Sequence, residues 1–188
     1  MPNPPFPPKI RRLQRLAKWF DSIETEKPFD SCKICQNFLS ETGGNWVINK
    51  HYHRKECVLE YAICVHCRDE VSNSFSHDSK AAIRDFLETK IDWQERILEW
   101  SKLDSPIKRL DHCVACTMPR EWMLGFTISA QFQHDGSLIE GALPLLLCSH
   151  CVSQINDSLS PESRETWKRF IAMYFEGPDS QDYHPGIF

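Results

Sequence analysis

The spacing of hydrophobic positions changes period several times along this chain, and each change marks an element. Phe126, Ile128, Ala130 and Phe132 alternate with Thr127, Ser129 and Gln131, the period-2 pattern of a strand. His134-Asp135-Gly136-Ser137 follows, with the Asp-Gly pair favoured in hairpin turns. Residues 138–147 read as the returning strand, with Pro144 marking an edge or a bulge. An earlier stretch has the same layout: a Thr42-Gly43-Gly44-Asn45 turn, a strand over 46–51, a turn over 53–56 and a return over 58–63. Helical spacing predicts a short N-terminal helix beginning near Lys9 and two further helices. Ile10, Leu13, Leu16, Ala17 and Phe20 form an apolar stripe, with Arg11, Arg12, Arg15 and Lys18 on the other face. Ser76 N-caps a helix whose stripe of Ile83, Phe86, Leu87, Ile91 and Leu98 carries it to about residue 100, broadened by Trp93, Ile97 and Trp100. Ser160-Pro161-Glu162 opens another, with Trp167, Phe170, Ile171, Tyr174 and Phe175 as its core face and Gly177-Pro178 as its end.

Two of these stretches are the same stretch. Shifted by 84 positions without a gap, residues 64–91 match residues 148–175, with Cys64/Cys148, His66/His150, Cys67/Cys151, Ser74/Ser158, Ser76/Ser160, Ser79/Ser163 and Phe86/Phe170 identical. Upstream, Cys32-Lys33-Ile34-Cys35 corresponds to Cys113-Val114-Ala115-Cys116. The chain therefore reads as a tandem duplication of one C-x2-C … C-x2-C module. The expected organisation is a Pro-rich arm and basic amphipathic helix over 1–28, a first module over 29–101, a linker over 102–109, a second module over 110–177 and a tail over 178–188. Modules of about 70 residues are marginal without a staple such as a metal.

Composition narrows the chemistry. Nine cysteines without an apolar leader in MPNPPFPPKIRRLQRL point to metal thiolates in a reducing, cytoplasmic setting rather than to secreted disulfides. No apolar run approaches 18 residues, so no membrane span is expected. The net charge of −4 is uneven, because residues 1–27 carry six Lys/Arg against three Asp/Glu. Any broad attraction for nucleic acid would have to come from that basic arm.

Two C-x2-C pairs aim four soft thiolates at one point, a donor set that favours tetrahedral zinc and leaves no open position. The expected ligands are Cys32, Cys35, Cys64 and Cys67 for one zinc ion and Cys113, Cys116, Cys148 and Cys151 for the other. His66 and His150 lie inside the second pairs and are expected to support the sulfurs or pack beside them. The order of knuckle, hairpin and cysteine-bearing helix resembles a treble-clef zinc finger, or more loosely a zinc ribbon, over roughly 29–76 and 110–160. That resemblance implies an α+β fold of two tandem treble-clef-like modules with pseudo-twofold symmetry plus an N-terminal helix, packed through the long helices.

A nuclease branch of that family, HNH and endonuclease VII-like, places an Asp-His-x-His cluster between the cysteine pairs. Lys50-His51-Tyr52-His53 stands at that place here, and the resemblance makes His51 and His53 catalytic candidates. Lys50 replaces the acid, and Arg68 stands where that family has Asn. Another use of His51 and His53, together with Cys57, is a third metal site. The leading expectation is a non-enzymatic zinc-binding adaptor for a protein partner. The alternatives are nucleic-acid binding through Arg11, Arg12, Arg15 and Lys18 with Lys50, Arg54 and Lys55, and a divergent HNH-type nuclease.

Overall fold

The computed structural model describes residues 16–100, 102 and 105–175, so Arg11, Arg12, Arg15, the start of the N-terminal helix and the 178–188 tail lie outside the described residues. Among them are five α-helices and one four-stranded antiparallel sheet. The strands are β1 (Trp46–His53), β2 (Glu56–Cys64), β3 (Gly125–Phe132) and β4 (Leu145–Cys148), in the order β2-β1-β3-β4. The helices are α1 (Val65–Asn73), α2 (His77–Lys90), α3 (Trp93–Trp100), α4 (Ser149–Asp157) and α5 (Pro161–Tyr174). No described helix is long and apolar enough to cross a membrane.

The sheet joins the two halves of the chain. β1 and β3 pair along their whole length, from Trp46 opposite Phe132 to His53 opposite Gly125, with Asn49 opposite Ser129 at the middle. The Ser129 hydroxyl donates to Asn49 Oδ1 there. Three residues to either side, aromatic pairs close the ladder: Trp46 stacks on Phe132 at 6.3 Å and Tyr52 on Phe126 at 4.7 Å. One continuous core runs from Leu16 and Phe20 through the sheet to Val152 and Ile155, and takes in six of the eight knuckle cysteines. The packing expected through the long helices is thus secondary to strand pairing.

The helices α2 and α5 meet instead at their N-terminal ends. Ser76 and Ser160 cap them, accepting from the amides of Ser79 and Ser163 at 3.2 Å each. The caps also bond across: Ser76 N–H donates to Ser163 Oγ at 3.0 Å and Ser160 N–H to Ser79 Oγ at 2.8 Å. Ser79 and Ser163 are fully buried, which explains why all four serines recur at the 84-residue shift. Ser79→Ala and Ser163→Ala should each cost about 1–3 kcal/mol in urea denaturation, because each leaves a half-buried amide, of Ser160 or Ser76, without its acceptor. The double variant should lose less than the sum, since both act on one network.

Two elements differ from the sequence expectation. The helix predicted from Ser76 to about residue 100 is two helices. Ile91, buried at 5% exposure, leaves α2 in extended geometry, and Asp92 restarts the chain by accepting from Glu95 N–H at 2.8 Å. The return strand of the second hairpin is confined to Leu145–Cys148. The carbonyls before it are taken by two guanidinium groups: Arg96 donates to Ala142 at 2.8 Å and Pro144 at 2.6 Å, and Arg109 to Gly141 at 2.5 Å. Arg109 and Leu110, at the end of the expected linker and its junction with the second module, are buried.

Candidate metal centre

Each C-x2-C pair near the start of a half sits in a tight knuckle with one hydrogen-bond scheme. Cys32 N–H donates to Asn37 O and Gln36 N–H to Cys32 O, both at 2.9 Å; Cys113 N–H to Met118 O and Thr117 N–H to Cys113 O repeat this at 2.9 Å. The reversal puts Gln36 and Thr117 in left-handed backbone, φ 62° and 60°. Lys33 N–H donating to Ala62 O and Val114 N–H donating to Leu146 O, each at 2.8 Å, fasten the knuckles to β2 and β4. Those strands deliver the second pairs. Cys64 and Cys148 end the strands and precede α1 and α4, and Cys67 and Cys151 lie in the first helical turns. A helix N-terminus favours thiolate there.

The result is two groups of four sulfurs, Cys32/Cys35/Cys64/Cys67 and Cys113/Cys116/Cys148/Cys151, with all ligand atoms of a group within 4.8 Å of one another. The Cys113–Cys151 sulfurs are 3.7 Å apart and the Cys116–Cys148 sulfurs 3.6 Å. A tetrahedron with metal–sulfur bonds of about 2.3 Å has edges of about 3.8 Å. A disulfide needs about 2.05 Å, and all nine cysteines are free. The amides of Cys64 and Cys148 point at Cys32 Sγ and Cys113 Sγ, 3.4 Å away in both cases.

Electrostatics within each group are unequal. The hydrogen bond from the Cys148 thiol, followed by backbone amides, holds Cys113 down to about 4. Burial opposes ionisation of Cys32, but the amides of Cys35, Cys64 and Ile34 outweigh it and its value falls. Cys64, Cys67, Cys148 and Cys151 move the opposite way. Burial raises Cys64 and Cys67 and takes Cys151 to about 12, and the bond to Cys113 raises Cys148. Cys32 and Cys113 are therefore the sulfurs their surroundings most favour as thiolate, and ionising all four of a group calls for a divalent cation between them.

The other candidates are not gathered into a site. His51 is buried in β1, bonded through Nδ1 to Thr127 Oγ1 at 2.8 Å and stacked on Tyr61 at 5.9 Å. His53 is exposed at the strand end, and the Cys57 thiol donates to Leu59 O at 3.5 Å. Among the described residues, groups of three or more potential metal ligands occur only at the two cysteine clusters. Burial pushes His51 down to about 3, below its unfolded value near 6.5. Its contribution to stability is complete above about pH 6.5 and is lost as pH falls towards the folded value, at about 1.4 kcal/mol per unit. His51→Gln should flatten the denaturation free energy between pH 7.5 and 5.5 relative to the parent; an unchanged slope would sink this assignment.

His66 and His150 do not support the sulfurs. Both are exposed on the outer faces of α1 and α4, and His66 faces Glu70 at 3.3 Å. Lys50 is equally far from its sequence reading. It is 1% exposed, donates to the Asp21 carbonyl and pairs with Glu60 at 3.1 Å, so it offers nothing to a phosphate.

The surface holds a feature that periodicity did not reveal. Trp122 is 75% exposed and Leu124 61%, where the first knuckle, 81 positions earlier, has Glu41 and Gly43. The β1–β2 turn lies beside them, with Arg54 N–H donating to Leu124 O at 2.7 Å. Arg54 and Lys55 both hold positive φ there, 48° and 71°, as a two-residue type I′ turn demands. Comparing each half with the other would have found this contrast. Comparison of the chain with protein-family models, curated proteins and solved structures returned no match.

Proposed function

We propose that the chain is a non-enzymatic zinc protein built from two copies of a treble-clef-like module, and that it serves as an adaptor for a protein partner. The carrying observation is closure of both sulfur groups: four protein thiols occupy the four corners, so a zinc ion there has no position left for substrate. Supporting the duplication are the matching knuckle bonds, helices of equal length in α2 and α5, and a strand pairing centred on Asn49 and Ser129, through which the pseudo-twofold axis would pass. Supporting a protein partner are Trp122 and Leu124, exposed together beside a cationic turn on a chain of net charge −4. Thiolate sites of this kind fit a reducing cytoplasm.

The test uses the full chain and a Trp122→Ser/Leu124→Ser variant, each verified to hold two zinc ions by native mass spectrometry. A partner captured by the parent and lost by the variant supports the adaptor reading. Identical recovery by both removes that surface from consideration. Recovery that vanishes on nuclease treatment and at high salt would transfer the role to nucleic acid, carried by Arg54, Lys55 and the arm with Arg11, Arg12, Arg15 and Lys18. Cleavage of nucleic acid that depends on His51 and His53 would restore the nuclease reading.

A further inference from the structure

At the other end of the β1–β3 pair from Leu124 lies a cleft of about 380 Å³. Phe20, Trp46 and Phe132 form its floor, and Phe29 and Phe38 stand at its sides. The floor aromatics are buried, whereas Phe38 is 56% exposed. Carboxylates lie in its lining, whereas Lys18 and Lys50 act on Asp21 from outside it. Asp21, Asp30 and Asp135 contribute to the lining, and no Lys or Arg is among the described residues that do. An aromatic trough with a carboxylate rim suits an extended proline-rich segment that carries cations at one end. Proline rings pack on the accessible faces of Phe29 and Phe38 above the buried floor, the backbone is already restricted to polyproline II geometry, and the cations meet the rim.

This chain contains such a segment. Residues 2–9 read PNPPFPPK, with three overlapping P-x-x-P spacings and Phe6 among the prolines, and Arg11, Arg12 and Arg15 follow Lys9. We propose that residues 2–9 occupy the cleft of their own chain, with Lys9 and the following arginines against the aspartate rim. Three lining carboxylates face four arm cations, so the charges complement. The connection is short enough, because Ala17 itself lines the cleft and lies only eight residues beyond Lys9. Eight residues span about 12 Å as helix, and a polyproline segment of similar length reaches about 25 Å. Tethering also gives the segment a millimolar effective concentration, which a free peptide must exceed. The inference stands apart from the adaptor reading, which concerns the opposite end of the strand pair.

A fluorescein-labelled peptide of residues 2–12 tests it by anisotropy against full-length proteins with two bound zinc ions. The peptide should bind a Pro4→Ser/Phe6→Ser/Pro7→Ser chain at least tenfold more tightly than the parent, whose own arm competes. Adding Asp30→Lys and Asp135→Lys to the arm variant should lower that affinity at least tenfold. Both changes lie on the rim rather than in the core, and a retained melting transition verifies folding. No binding to the arm variant, equal binding to variant and parent, or indifference to the rim aspartates would each overturn the proposal. So would sedimentation showing that the parent, but not the arm variant, self-associates, because the arm would then dock on a second copy.

Discussion

Replacing Cys148 with serine should reduce bound zinc from two ions to one per chain and destabilise the whole chain, not half of it. Serine keeps the shape but not the soft, ionisable sulfur, and three thiolates leave the tetrahedron open. A structural zinc ion contributes roughly 10–16 kcal/mol to a small domain at neutral pH, against a net stability of about 5–15 kcal/mol for proteins of this class. The loss cannot be confined to the second half, because Cys148 ends β4, β4 pairs with β3, and β3 pairs with β1 along eight residues. The same buried cluster contains sulfurs from both metal groups. Thermal denaturation should therefore show one early transition, not a lost half beside an intact one. Cys57→Ser is the control and should keep two ions, since that thiol donates to the Leu59 carbonyl and belongs to neither sulfur group. Native mass spectrometry with elemental analysis decides the matter. Two ions in Cys148→Ser, or one ion in Cys57→Ser, would show that the ligand assignment is wrong.

The parts of this molecule that could be read from sequence are those fixed by short-range chemistry. A C-x2-C knuckle closes on itself, so the spacing of Cys32/Cys35 and Cys113/Cys116 carried the geometry. Ser76 and Ser160 likewise announced helix starts that the structure has. Much of what failed was decided at long range. Nothing in the alternation of β3 says that its free edge meets β1, because either edge of a hairpin offers the same row of amides and carbonyls. The apolar stripe runs through Ile91 without interruption, and only the Asp92 side chain, capping Glu95, stops one helix and starts another. The second return strand was lost to Arg96 and Arg109, distant residues whose guanidinium groups claim its carbonyls. His66 and His150 were misplaced because identity at the 84-residue shift does not by itself imply contact with the sulfurs. Lys50 looked like a surface cation because strands commonly alternate, whereas β1 is buried on both faces from Trp46 to His51.

That burial makes Glu60 the residue whose loss should cost most outside the metal groups. Glu60→Leu should destabilise the chain by about 3–5 kcal/mol, the range for breaking one side of a buried ion pair. Lys50 would remain at 1% exposure with the Asp21 carbonyl as acceptor and only the more distant Asp21 carboxylate as counter-charge. The reverse change should be milder. Lys50→Met leaves Glu60, whose side chain is 15% exposed and still accepts from Ser22 Oγ at 2.7 Å and Ile23 N–H at 2.8 Å. The carboxylate keeps those donors and water around it, whereas the buried ammonium loses the carboxylate it pairs with. The double variant should be more stable than Glu60→Leu alone, because removing the stranded cation recovers its desolvation penalty. Protonation acts as the single substitution does. Burial raises the Glu60 pKa, but the Ile23 amide, the Ser22 hydroxyl and Lys50 together bring it below the ordinary glutamate value. Its stabilisation is therefore present above the unfolded pKa and lost as pH falls through the folded one. Urea denaturation of the four proteins at pH 7, where the thiolate sites also hold their ions, measures the cycle. Equal costs for the two single variants would mean that the pair is solvated after all. A larger cost for Lys50→Met would mean that the strand needs the lysine stem for packing more than the interior needs the carboxylate for charge.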